Sequence, residues 1–337
     1  MIAPPTKSWL RLAGLKELHT MKPSFLVRVA ASVIAVGALA PSAGAQNLVL
    51  RADSLLKNGQ VFSAETLYYA AVRRQPRDPA ARLALGNYLA ARGALKVGAV
   101  LMEEARFFGG DAKTVAIQLA PVYARLGDYR ALASLPGSEL SYGERARASW
   151  LQTNPPSVQG PDSTTIPYNP GGGLGLGRLQ LVVDGDSVEA IIEPSVLGLV
   201  LDTVWAMRPG LKTFKASTET DSRRVAGAAA AVKLGPMTLA GVPVQFAATG
   251  SARVARIGLD VLGMLAPTFD PAGKRLTLRK SGKIGDGTGG TRIPTLVFGS
   301  GLWIVRDGAW SVTGERGRSM IPGRWTLNAK RGEIILN

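Results

Sequence analysis

The sequence predicts helical hairpins followed by a mainly β domain, and three observations carry that expectation. Glycines at 59, 93 and 127 recur at a step of 34 residues inside matching apolar patterns, a period that marks stacked helix pairs. Residues 154–177 then turn to Pro, Ser, Thr and Gly with almost no apolar periodicity, which marks a domain boundary. After Arg178, apolar residues alternate with polar ones in short β-branched runs, as half-buried strands require. With 337 residues, 46% of them hydrophobic, the chain can supply a core to each of two modest domains.

Residues 1–45 read as an upstream extension and a secretory signal. Lys22 and Arg28 form a basic start, residues 29–40 an apolar run, and Ala43-Gly44-Ala45 a small-residue cleavage site. The run is short for a bilayer span. Cleavage after Ala45 would place the chain in the periplasm or outside the cell. Residues 1–20 disturb the leader's layout, so Met21 is the expected start. Cysteine is absent and the only histidine, His19, lies in the part to be removed. Disulfides, thiolate catalysis, histidine-held zinc and Ser-His-Asp triads are therefore excluded from the mature chain, and no cofactor or metal is expected.

The formal charge of +16 falls to +12 once the five Lys/Arg and one acid before Gln46 are gone. Such a charge on an exported protein fits attraction to anionic envelope surfaces. It fits equally a solvated, arginine-rich exterior. Nucleic acid is not an expected partner, because the few aromatics do not interleave with basic runs.

In the helical part, residues 46–153, the first unit reads Ala52, Leu55, Gly59, Ala64, Tyr68, Ala71 and Pro76. Small residues let two helices approach, Gly59 turns between them and Pro76 ends the second. The second unit repeats the plan with Gly86, Leu89, Gly93, Gly98, Met102 and Ala105, and the third begins with Ala120, Tyr123, Gly127 and Tyr129. Pro136-Gly137 shortens the third unit, and residues 141–151 read as a closing helix with Trp150 covering the exposed end. These positions resemble the tetratricopeptide repeat family. The resemblance implies a concave surface for peptides or another domain, with Tyr68, Tyr88 and Tyr123 as candidate binding residues. A spacer or dimerisation element is the alternative use of so short an array.

Residues 154–177 are expected to be a mobile linker. Their run from Gly171 to Gly177 precedes a strand rather than a helix, so it is not a dinucleotide loop. Beyond it, a hairpin turns at Asp184-Gly185-Asp186, and strands are expected at residues 231–234, 237–239, 242–247 and 275–278. The order of elements over residues 178–280 resembles the retropepsin-like aspartic proteases. It rests on Val188-Glu189-Ala190-Ile191-Ile192 leading to Glu193-Pro194-Ser195-Val196, on the hairpin around Gly235-Pro236, and on Arg256-Ile257-Gly258-Leu259-Asp260-Val261-Leu262 and Phe269-Asp270-Pro271-Ala272-Gly273.

That resemblance implies a closed barrel, pairing of two chains through the β domain, and an active-site acid at Glu193. The family carries Asp-Thr-Gly in this loop. Here Glu193 has a longer arm, Pro194 removes the threonine hydroxyl and a backbone donor, and Ser195 puts a side chain where glycine permits close approach. These losses point to an inactive site. Asp202-Thr203 is expected in a loop or helix cap, Asp260 as a helix cap and Asp270-Pro271 in a turn. Residues 281–337, a Gly-rich stretch and further strands, are expected to extend the sheet as a hairpin appendage, and residues 325–336 echo the strand-turn-strand at 269–278.

The leading functional expectation is an exported adaptor with an inactive protease-like domain, taking a peptide or protein ligand. One alternative is an active aspartic-type endopeptidase that uses Glu193 from two paired chains. A second is a structural envelope component attached to anionic surfaces by its charge.

Overall fold

Helix boundaries fall where the local chemistry sets them. Helices α1 (Ala43–Lys57) and α2 (Val61–Arg74) are joined through Gly59 at φ +76, a left-handed turn that glycine adopts without a Cβ penalty. Asp78 caps α3 (Pro79–Ala91), accepting from the N–H of Ala80 at 2.8 Å, with Pro79 at the first position where its missing N–H costs nothing. Gly93 turns into α4 (Leu95–Phe107), and Asp111 caps α5 (Ala112–Leu126), which ends on Gly127 at φ +69. The short α6 (Tyr129–Ala133) precedes α7 (Tyr142–Thr153), whose start is a full capping box between Ser141 and Glu144. The computed structural model describes residues 43–135, 140–170, 176–214, 224–280, 290–298, 301–306, 309–313, 321, 323–329 and 331–337. Pro136-Gly137, most of the run from Gly171 to Gly177 and most of the second Gly-rich stretch lie outside them.

Helices therefore occupy the N-terminal part, paired in sequence. Gly86 and Gly98 let α3 and α4 meet backbone to backbone: a Cβ on Gly86 would lie 2.9 Å from the Gly98 carbonyl oxygen. The tyrosines expected on an open binding face are instead packed inside. Tyr68 and Tyr88 are buried with ring centroids 5.4 Å apart. Their hydroxyls donate to Asp53 (2.5 Å) and Glu65 (2.8 Å), and that of Tyr123 donates to Glu103 (2.6 Å). Each bond fastens one helix to another, and burial pushes all three phenols upward.

A β-rich region follows. Ten strands form one sheet in the order β1-β9-β8-β3-β4-β11-β5-β10-β7-β6. They are β1 (Ser157–Gln159), β3 (Arg178–Val183), β4 (Asp186–Ile192), β5 (Leu199–Asp202), β6 (Leu211–Phe214), β7 (Arg224–Ala229), β8 (Val232–Leu234), β9 (Met237–Ala240), β10 (Val242–Ala247) and β11 (Val254–Ile257). The expected hairpin turns at Asp184-Gly185, with positive φ at both residues. All pairs are antiparallel except β4 with β11 and β5 with β10. The sheet curls as a half-barrel but does not close, contrary to expectation. Its edges are β1 and β6, and α7 packs along β6 and β7, with Trp150 6.0 Å from Phe214. Trp150 packs on the core of the helices, as expected of a closing helix, and also lies against the sheet.

The second sheet runs β16-β15-β14-β18-β17-β12-β13-β2. It joins β2 (Ser163–Pro167), β12 (Thr268–Asp270) and β13 (Arg275–Arg279) to β14 (Thr291–Phe298), β15 (Gly301–Arg306), β16 (Ala309–Thr313), β17 (Trp325–Asn328) and β18 (Glu333–Leu336). Two expected boundaries are corrected by this pairing. Residues 154–177 are not only a linker, because β1 pairs β9 and β2 pairs β13. The division at residue 280 runs through the middle of one sheet. The echo between residues 269–278 and 325–336 becomes direct contact: Phe269 pairs with Trp325 across β12 and β17, their rings stacked 4.0 Å apart. One apolar core runs through both sheets, from Ile166 to Ile334, and Ala43–Asn337 forms one compact unit. Among the described residues no helix is long and apolar enough to cross a membrane.

Candidate functional site

The loop that the sequence singles out leaves β4 at Ile192 and returns in β5 at Leu199. The Glu193 N–H donates to the Ile257 carbonyl at 3.0 Å, extending the parallel pairing of β4 and β11, and Val196 closes a turn by donating to the Glu193 carbonyl at 3.2 Å. Gly198 takes φ +71, and a Cβ there would strike the Pro243 carbonyl, so both backbone and space call for glycine. Pro194 is buried, while Ser195 and Leu197 are exposed.

Glu193 itself sits at the outer end. Its Oε1 accepts from the Ser195 hydroxyl at 3.1 Å, and its Oε2 lies 3.7 Å from Nε of Arg256. A proton-sharing pair of acids needs a second carboxyl against the first. Among the described residues, the side chains that engage the Glu193 carboxylate are donors, the Ser195 hydroxyl and the Arg256 guanidinium. Among the described residues no group of three or more acids and histidines is placed to hold a metal ion.

The inner end of the loop is different. Both carboxylate oxygens of Asp260 accept from the Gly198 N–H, at 2.9 and 3.1 Å. Asp260 follows Leu259 at the start of α8 (Leu259–Gly263), whose cap residue is Gly258. Its role is therefore to pin the loop rather than to cap the helix as expected. Burial pushes the Asp260 carboxyl upward, against the lowering effect of its backbone bonds and of Arg125. Burial likewise draws the Arg125 guanidinium downward. It raises the Tyr129 hydroxyl to about 12, with Asp260 acting in the same direction.

A cavity of about 820 Å³ opens here, lined by Pro194 to Leu197 of the loop, by Arg125 of α5, by Asp260 and Met264, and by Leu327 of β17. The loop thus faces this chain's own helices and second sheet. A separate groove of about 630 Å³ lies on α4 and α5, where Tyr123 meets Val100 and Phe107. Of the three tyrosines proposed for binding, only Tyr123 borders either space. Sequence reading missed Arg125 altogether, since a single arginine near a helix end carries no pattern. The two remaining acids behave as expected: Asp202 accepts from Val204 N–H at the start of a 3₁₀ helix (Thr203–Met207), and Asp270 accepts from Gly273 N–H in a turn.

No family model matches the chain, and no curated protein matches it. Among solved structures the chain is similar to the crystal structure of a retropepsin-like aspartic protease from Rickettsia conorii. The identity is 13%, over 37% of this chain and 93% of that one, with a TM-score of 0.26.

Proposed function

We propose that this protein is a non-catalytic binding module for peptides or protein segments, an exported adaptor whose ligand enters the cavity beside residues 194–197. The observation that carries the reading is the placement of that loop. Its inner side lines a cavity walled by the same chain's helix α5 and strand β17, and its acid Glu193 is engaged by Ser195 and Arg256. A loop so placed offers walls for a ligand rather than an acid held against a second copy. The leader pattern before Gln46 supports export, and the paired helices that resemble tetratricopeptide repeats support an adaptor.

The test uses an unfolded protein as probe at acidic and neutral pH. Binding without cleavage is expected, unchanged in Glu193→Gln and weakened at least about tenfold in Ser195→Trp, whose indole would fill the cavity mouth. Cleavage that disappears in Glu193→Gln would replace this reading with that of a peptidase.

A further inference from the structure

Two charged side chains stand in the cavity wall, and pinning the loop uses only part of the polar capacity of one of them. Arg125 comes from the last turn of α5 and Asp260 from α8, and apolar wall lies around them at Leu126, Leu197, Met264 and Leu327. Each charge acts on the other electrostatically. Among the described residues, however, no ion pair within 4.0 Å joins them. Arg125 commits one N–H to the Ala90 carbonyl at 3.3 Å, and a guanidinium has five to give. Asp260 accepts the Gly198 backbone N–H, and a carboxylate has room for about four donors.

A donor and an acceptor that share a cavity without touching select a group carrying both an acceptor and a donor, with no net charge. A ligand carboxylate would be opposed by Asp260 and a ligand ammonium by Arg125. A peptide unit meets the requirement, its carbonyl toward the guanidinium and its N–H toward the carboxylate. The space, about 820 Å³, lies within the range of ligand sites and holds a short run of apolar residues.

We infer that the cavity binds an uncharged, apolar stretch of peptide, with one main-chain amide bridging Arg125 and Asp260. This rests on the binding reading above and adds the chemistry of the ligand: neutral at the clamp and apolar on both sides of it.

The experiment equilibrates the full chain with a pool of tetrapeptides drawn from Leu, Val, Ala and Met, acetylated and amidated at their ends, and identifies retained members by mass spectrometry. The tightest binder is remade with each amide in turn replaced by an ester, which keeps the carbonyl and removes the N–H. Calorimetric titration into the unaltered protein is expected to show one ester about tenfold weaker or more, the others within about threefold. In Asp260→Ala, which removes the acceptor, that difference should vanish, whereas Arg125→Met should weaken amide and ester alike. Equal binding of every ester overturns the clamp while the peptide reading stands. Retention of no peptide, with capped or free ends, overturns both.

Discussion

Helices meet sheets along two seams, and the two differ in what lies beside them. Along the first, α7 lies on β6, β7 and β10. Gly143 admits the helix backbone against the Phe214 carbonyl, Arg147 donates to the carbonyl of buried Val244 at 2.8 Å, and Trp150 meets Phe214. Along the second, the turns of the first two helix pairs touch the C-terminal strands. A Cβ on Gly93 would lie 2.6 Å from the Gly332 Cα, and one on Gly59 would lie 3.3 Å from the Trp303 ring. The first seam is closed by a side chain that reaches a buried backbone carbonyl. The second adds to its turn contacts the Arg92 donation to the Thr295 carbonyl at 3.4 Å and Leu296 in the helix core, and beside it the 820 Å³ cavity remains. One seam fixes the orientation of the parts, and the other leaves room for a ligand.

The largest expected effect breaks the first seam. A side chain on Gly143 collides with the Phe214 carbonyl, and backbone on both sides cannot yield as a flexible side chain would. Gly143→Leu is expected to lower stability by roughly 3 kcal/mol, the upper range for overpacking, read as a shift in the urea midpoint. Arg147→Ala follows at about 2 kcal/mol, because it removes a charged donor from the carbonyl of buried Val244. A normal midpoint in Gly143→Leu would show that this seam does not hold the helices to the sheet.

The second seam should respond less. Gly93 sits at φ +85, so Gly93→Ala combines a strained backbone with a crowded approach to Gly332, about 1–2 kcal/mol together. Its more telling consequence is on binding. Pushing the turn away from Gly332 should alter affinity for a cavity ligand, whereas Arg147→Ala should leave affinity within about threefold once the protein is folded. Equal effects on binding would erase the distinction between the seams.

Sequence reading reached different depths in these regions. The helix pairs were legible because Gly59, Gly93 and Gly127 each occupy a left-handed turn that other residues resist, and a fixed step betrays them. The hairpin at Asp184-Gly185 was legible for the same reason. Burial of Tyr68 and Tyr88 was not, since a tyrosine serves an open face or a core with equal chemistry and only the distant acids Asp53 and Glu65 decide. The open sheet escaped as well. α7 packs along the β6 edge, seated by Gly143 and Arg147, residues that read as ordinary helix positions. The cavity was invisible because Arg125 and Asp260 lie more than a hundred residues apart and share no motif.

The smallest effect appears only in acid, and it separates the seams by pH. Asp202 ends β5 beneath the first seam, and its Oδ2 accepts from both the N–H and the hydroxyl of Thr249, each at 2.9 Å, just beyond the end of β10. These bonds, the Thr249 hydroxyl foremost, hold its carboxyl below the usual range. The folded state therefore binds this proton less readily than the unfolded chain. The stability it contributes is complete above the ordinary aspartate value of about 3.9 and is lost as pH falls from there through the lower folded value. Urea midpoints for the wild type and Asp202→Asn should accordingly differ at pH 6 and converge below about pH 4. Because Arg147 anchors the same β10 at Val244, the acid-induced loss should be smaller when Arg147→Ala has already loosened that strand, and unaffected by Gly93→Ala. Coupling of Asp202 to Gly93 instead would mean that the two seams respond as one.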